Sequence, residues 1–172
     1  MIRFLAVLSL LLTFVPIVDA KTISLEDGAV TFEAPDEFDA VPDEILAAKY
    51  PASRAPRYVI GNEDAGTTIA CDLKGKAFPD EQIEEVRAYL TGTFERVIPG
   101  AEWIDNKVID HAGKKWIYFE LTSNAVDTDI HNIMLFTGYR GQTLMFNFNS
   151  TRQQFERYED ELRRSMASIK FR

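Results

Sequence analysis

The sequence predicts an α+β fold, a three-layer α/β/α sandwich around a mainly antiparallel sheet. Three observations predict it. First, three β-rich runs crowd into Lys115 to Asn149: Trp116–Leu121, Ile130–Tyr139 and Gln142–Phe148. No helical pattern separates them, which argues against a parallel, doubly wound sheet. Second, these runs are apolar on both faces. In the last run Leu144, Phe146 and Phe148 point one way and Met145 the other. In the middle run Ile133 and Leu135 oppose Ile130, Met134 and Phe136. A sheet with one wet face alternates apolar with polar, so this one must be covered on both sides. Third, two segments have apolar residues at helical spacing and can supply the cover.

The first twenty residues read as a cleavable export signal. Arg3 gives a positive start, Phe4 to Val18 is apolar apart from Ser9, Thr13 and Pro16, and Val18-Asp19-Ala20 is a short-residue cleavage site before Lys21. The run is shorter than the about 20 apolar residues of a membrane span. The rest, 21–172, is the length of a single domain.

Lys21–Glu26 and Ala29–Ala34 are short alternating runs joined by Asp27-Gly28, a hairpin signal. Pro35 to Asp43 is acidic and irregular. Pro42 then opens a short helix, with Asp43 and Glu44 in its first turn, that Pro51 stops. Strands follow at Arg57–Gly61 and around Thr67–Leu73, with a Gly/Asn/Asp turn between them. Pro79 opens the longest amphipathic helix. Ile83, Val86, Leu90, Phe94 and Val97 form its stripe, and Pro99-Gly100 ends it. Ala101–Asp110 reads as a strand, and His111-Ala112-Gly113 turns it into the central block. There, Tyr139-Arg140-Gly141 closes a hairpin. Ser150 and Gln153 have capping-box spacing before a second helix carrying Phe155, Tyr158, Leu162, Met166 and Ile169. Asn149-Ser150-Thr151 also fits a glycosylation acceptor, and the cap is the preferred reading. Ile169-Lys170-Phe171 is a terminal strand.

The formal charge is −8, and the export segment contributes nothing to it because Arg3 and Asp19 cancel. An acidic chain lacks the basic footprint that nucleic acid or an anionic membrane requires. Cys71 is the lone cysteine, so no intrachain disulfide staples the domain. No cation adjoins it, and it reads as a buried, inert thiol.

Asp127, Asp129 and His131 alternate, so on a strand they share one face and could ligate Zn²⁺ or Mn²⁺. His111 could complete the set if its strand were adjacent. This face supports an alternative reading as a small metal-dependent hydrolase. The dull reading is a solvated strand end. No nucleophile elbow, P-loop or dinucleotide fingerprint occurs, and no cofactor is expected. The acidic segment with Asp36, Glu37, Asp39, Asp43 and Glu44 is the surface best suited to a protein partner, against the plain alternative of a solvated loop.

Four stretches carry a resemblance. Val30-Thr31-Phe32-Glu33-Ala34-Pro35 looks like an opening strand running into proline. The helix from Pro79 separates two sets of strands. Gly113-Lys114-Lys115-Trp116 starts a central strand, and a closing helix runs into Ser168-Ile169-Lys170-Phe171. Together they resemble the PsbP-like family, which includes the extrinsic photosystem II subunit and exported bacterial relatives. The resemblance implies an α/β/α sandwich and a non-enzymatic accessory or binding role. It carries over no functional residue and implies no photosynthetic partner. The expectation is an exported, periplasmic or secreted module that is not an enzyme and acts through protein contacts in the cell envelope or outside the cell.

Overall fold

The computed structural model describes residues 20–50, 55–124 and 128–172. In chain order its elements are β1 (Ala20–Leu25), β2 (Val30–Pro35), β3 (Asp39–Ala40), α1 (Asp43–Lys49), β4 (Tyr58–Gly61) and β5 (Thr67–Lys74). Then come α2 (Ile83–Val97), β6 (Glu102–His111), β7 (Lys114–Asn124), β8 (Asp129–Tyr139), β9 (Gln142–Thr151), α3 (Arg152–Ala167) and β10 (Lys170–Phe171).

Among the described residues, seven strands form one sheet in the order β3-β4-β5-β9-β8-β7-β6, every neighbouring pair antiparallel. Two tight turns set its register. Tyr139 pairs Gln142 across Arg140 and Gly141, whose φ values are 47° and 81°. His111 pairs Lys114 across Ala112 and Gly113, at 50° and 75°. Positive φ at both central residues matches the right-handed twist of the flanking strands, and glycine supplies the second position at no steric cost.

Alternation along these strands builds two cores. One face carries Trp116, Ile133, Leu135, Leu144, Phe146 and Phe148, all nearly inaccessible to solvent. The other carries Ile117, Phe119, Leu121, Met134 and Phe136. Each large side chain so buried contributes about 1.5–3 kcal/mol. The second face is covered by α2 through Ile83, Val86, Leu90 and Phe94, and by α1, whose Ile45 and Leu46 pack on Val59 and Ala70. The first face is covered by α3 through Tyr158 and Leu162. A separate three-stranded sheet, β1-β2-β10, shares that layer, contributing Val30 and Phe32. The predicted three-layer α+β sandwich is therefore present, with strands as well as a helix in one outer layer.

Three local expectations are corrected. Val97 does not belong to the buried stripe of α2. It is 63% exposed, and Ile98, just past the helix, packs in its place because the chain leaves the helix there. The capping box does not form. β9 runs on through Thr151, so Ser150 is fully buried and its Oγ meets Thr67 Oγ1 at 2.8 Å instead of capping α3. Pro79 is followed by one 3₁₀ turn, Asp80–Gln82, before the α-helix starts at Ile83.

Candidate functional site

Helices α1 and α2 stand on the same face of the sheet, yet they do not meet. α1 covers the β4–β5 end and α2 the β6–β8 end. Between them a groove of about 330 Å³ opens over β5, β9 and β8. Leu90 and Phe94 wall it on the α2 side, Tyr50 and Pro56 on the other. Its floor is Ala70, Met134, Phe136 and Met145. Leu90, Phe94 and Met145 remain half-buried, so the groove shows apolar surface to solvent. Two thioethers in the floor make it adaptable in shape.

Three polar side chains, Asp72, Lys74 and Asn147, break this lining. Asp72 of β5 and Asn147 of β9 both reach the groove. Asn147 Oδ1 is buried with no hydrogen-bond donor among the described residues. Asp72 is 5% exposed; its Oδ1 accepts from the Leu73 amide at 2.9 Å, and its Oδ2 lies 2.5 Å from Lys74 Nζ. The Lys74 side chain is itself about half exposed and also donates to the Ala55 carbonyl at 3.1 Å.

The acidic residues singled out in the sequence do not line this groove. Asp36, Glu37, Asp39, Asp43 and Glu44 are all exposed, held by Phe38 and Val41, which insert into the cores between them. Asp39 pairs with Lys21 at 2.7 Å. Asp43 and Glu44 occupy the first turn of α1, and Tyr50, just past its last turn, walls the groove.

The strand residues considered as metal ligands are distributed differently. Asp127 lies outside the described residues. Asp129 is exposed and pairs with Arg152 at 3.4 Å. His131 is buried; its Nε2 meets Glu120 Oε1 at 2.8 Å, and its ring stacks on Phe155 with centroids 3.5 Å apart. His111 does not sit beside it, because β7 lies between β6 and β8. The two histidines neighbour opposite ends of β7, at Lys114 and Thr122, about 26 Å apart by strand rise. Among the described residues no three His, Cys, Asp or Glu side chains gather as metal ligands would. Cys71 is buried, and burial pushes its thiol well up from its ordinary range.

Sequence reasoning passed over a buried ionic network on the α3 face. Glu120 of β7 accepts from His131, from Arg163 NH2 at 2.8 Å and from the Tyr118 hydroxyl. Arg163 also meets Glu159 one helical turn away at 2.8 Å. Burial alone would raise the Glu120 carboxyl, but these three donors outweigh it and hold the pKa at about 2. The signal was a lone carboxylate inside the apolar run Trp116–Leu121. Every acceptor of Glu120 is engaged within the fold, so the network acts as a structural clamp between β7, β8 and α3.

No protein-family model matches this chain, and no curated protein matches it in sequence. Solved structures do resemble it. The cyanobacterial PsbP protein CyanoP of Synechocystis sp. PCC 6803 aligns over 94% of this chain and 97% of its own, with a TM-score of 0.62 and 14% identity. LpqN of Mycobacterium tuberculosis, described as involved in cell envelope biogenesis, aligns over 90% and 91%, at 0.57 and 14%. The Ran-binding protein Mog1p of Saccharomyces cerevisiae aligns over 90% and 96%, at 0.54 and 12%. At these identities the likeness speaks for the fold, and the fold of this chain is the PsbP-like one.

Proposed function

We propose that this chain is an exported, non-enzymatic binding or assembly module of the cell envelope or extracellular space, acting by protein contact through the groove between α1 and α2. The observation that carries this reading is the groove itself. It is an apolar, partly open channel over a rigid sheet, whereas the titratable cluster around Glu120 is consumed by internal pairing. Concave apolar surface with a few polar groups is where proteins take their ligands. The acidic segment Asp36–Glu44 adds exposed negative charge, and the 69%-exposed Tyr89 of α2 precedes Leu90 of the groove wall in sequence. The likeness to LpqN and to Mog1p, one described by envelope biogenesis and the other by Ran binding, supports a role in protein contact. The apolar segment Phe4–Val18 and the cleavage pattern before Lys21 support export.

The test is site-specific photo-cross-linking in the native cell envelope. A photoreactive residue at Tyr89 or Leu90 should give one discrete adduct band. The same residue at Arg172, on the opposite face, should give none. Equal adduct yield at both positions, or none at either, overturns the reading. Export is checked separately by the mass of the mature chain, which should begin at Lys21.

A further inference from the structure

The groove is apolar apart from Lys74 and two acceptors, Asp72 and Asn147, that no group among the described residues fully satisfies. Asn147 Oδ1 is buried without a donor. The Asp72 carboxylate, two residues along β5 from Ala70, the partner of Asn147, is nine-tenths buried, and among the described residues its Oδ2 is met only by the half-exposed Lys74 ammonium. An unmet buried acceptor costs about 1–3 kcal/mol, more for a charged group. A bound group that donates hydrogen bonds there recovers part of that cost. Around them the wall residues Leu90 and Phe94 and the floor residue Met145 offer only carbon and sulfur. The complementary ligand has an apolar stem and a multivalent, positively charged donor head, which describes arginine: three methylenes under a planar guanidinium with five N–H groups.

We infer that the groove receives an arginine side chain from a basic segment of the partner protein, its stem against Leu90, Phe94 and Met145 and its guanidinium donating to Asn147 Oδ1 and Asp72. This rests on the groove being the docking site. Charge supports it: the chain carries −8, and Asp43 and Glu44 are exposed in the first turn of α1, the helix whose far end reaches the groove wall at Tyr50. Lys74 shows that a cation is accommodated at this carboxylate. Being half exposed, it can swing out and so acts as a competitor for the site.

The experiment uses the chain from Lys21 to Arg172 and three acetylated, amidated pentapeptides of sequence Ser-Leu-X-Leu-Ser, with X as arginine, citrulline or leucine. Titration is followed by amide chemical shifts. The arginine peptide should bind at least tenfold more tightly than the citrulline peptide, with shifts confined to β5, β9 and the Leu90–Phe94 stretch. Asn147→Leu should reduce that preference below threefold. Lys74→Met, checked by a urea melt to be folded because it leaves the buried Asp72 carboxylate without its ion-pair partner, should tighten the arginine peptide severalfold by removing the competitor. Equal affinity for the three peptides overturns the cation assignment while leaving an apolar docking groove, and no peptide binding overturns it too. A Lys74→Met variant that binds more weakly also overturns it. Free n-butylguanidinium binding as tightly as the peptide would assign the site to a small guanidinium ligand and reject a protein segment. The cross-linking result stands or falls independently of all four.

Discussion

At the scale of single residues, the clearest energetic statement concerns Glu120. Its side chain is 6% exposed, yet it stays ionised because His131, Arg163 and Tyr118 all point donors at it. A carboxyl held at about 2 in the fold, against 4.5 for the free group, corresponds to roughly 3 kcal/mol of stability at neutral pH. The sign follows from the depressed value. The contribution is complete above pH 4.5 and drains away as pH falls from 4.5 towards 2, as the unfolded chain takes up its proton first. Glu120→Gln should therefore lower stability by roughly 2–3 kcal/mol at pH 7 and flatten the acid limb, read from urea melts at a series of pH values. An unchanged acid limb in the variant would remove Glu120 from that role.

At the scale of elements, close approach matters more than propensity. Gly138 lies in β8 where the chain leading into α2 crosses it. A Cβ there would stand 2.7 Å from the Phe78 carbonyl oxygen and 3.6 Å from Ala77 Cβ. Gly138→Ala should push Phe78 off the sheet and lower stability by roughly 1–3 kcal/mol, seen as a lower urea midpoint at constant slope. Gly113→Ala meets no neighbouring atom and should cost only the left-handed backbone term, about 1–2 kcal/mol. Such contacts are invisible in sequence, whereas the elements themselves were legible. Alternation placed Phe146 and Met145 on opposite faces, and helical spacing placed Ile83, Leu90 and Phe94 on one stripe. Where the reading failed, a tertiary contact had overridden a local signal. Ser150 fits a cap by spacing, but Thr67 across the sheet holds it in the strand. Val97 continues the helical period, but the sheet no longer lies beneath it, and Ile98 turns in instead.

At the scale of the whole molecule, the groove was not legible because no stretch of sequence contains it. Leu90 and Phe94 read as core, Asp72 as one acid among many and Asn147 as a polar strand residue. The site exists only because α1 and α2 cover the two ends of one sheet face and leave its middle open. The acidic rim of α1 was legible as composition: Asp43 and Glu44 open that helix, and its far end reaches the groove wall at Tyr50. That placement has a kinetic consequence. Exposed acids on the approach raise the encounter rate of a cationic partner, and mobile ions screen them, with a Debye length of about 10 Å at 0.1 M salt and about 3 Å at 1 M. The buried contacts that follow encounter are screened far less. Stopped-flow association with a basic partner segment should therefore slow by roughly tenfold between low and high salt, while dissociation changes little. Charge reversal of Asp36, Glu37, Asp43 and Glu44 to lysine should abolish that salt dependence without touching the groove, because none of these side chains lines it. An association rate indifferent to salt in the unaltered chain would mean that the rim does not steer and that docking relies on apolar contact alone.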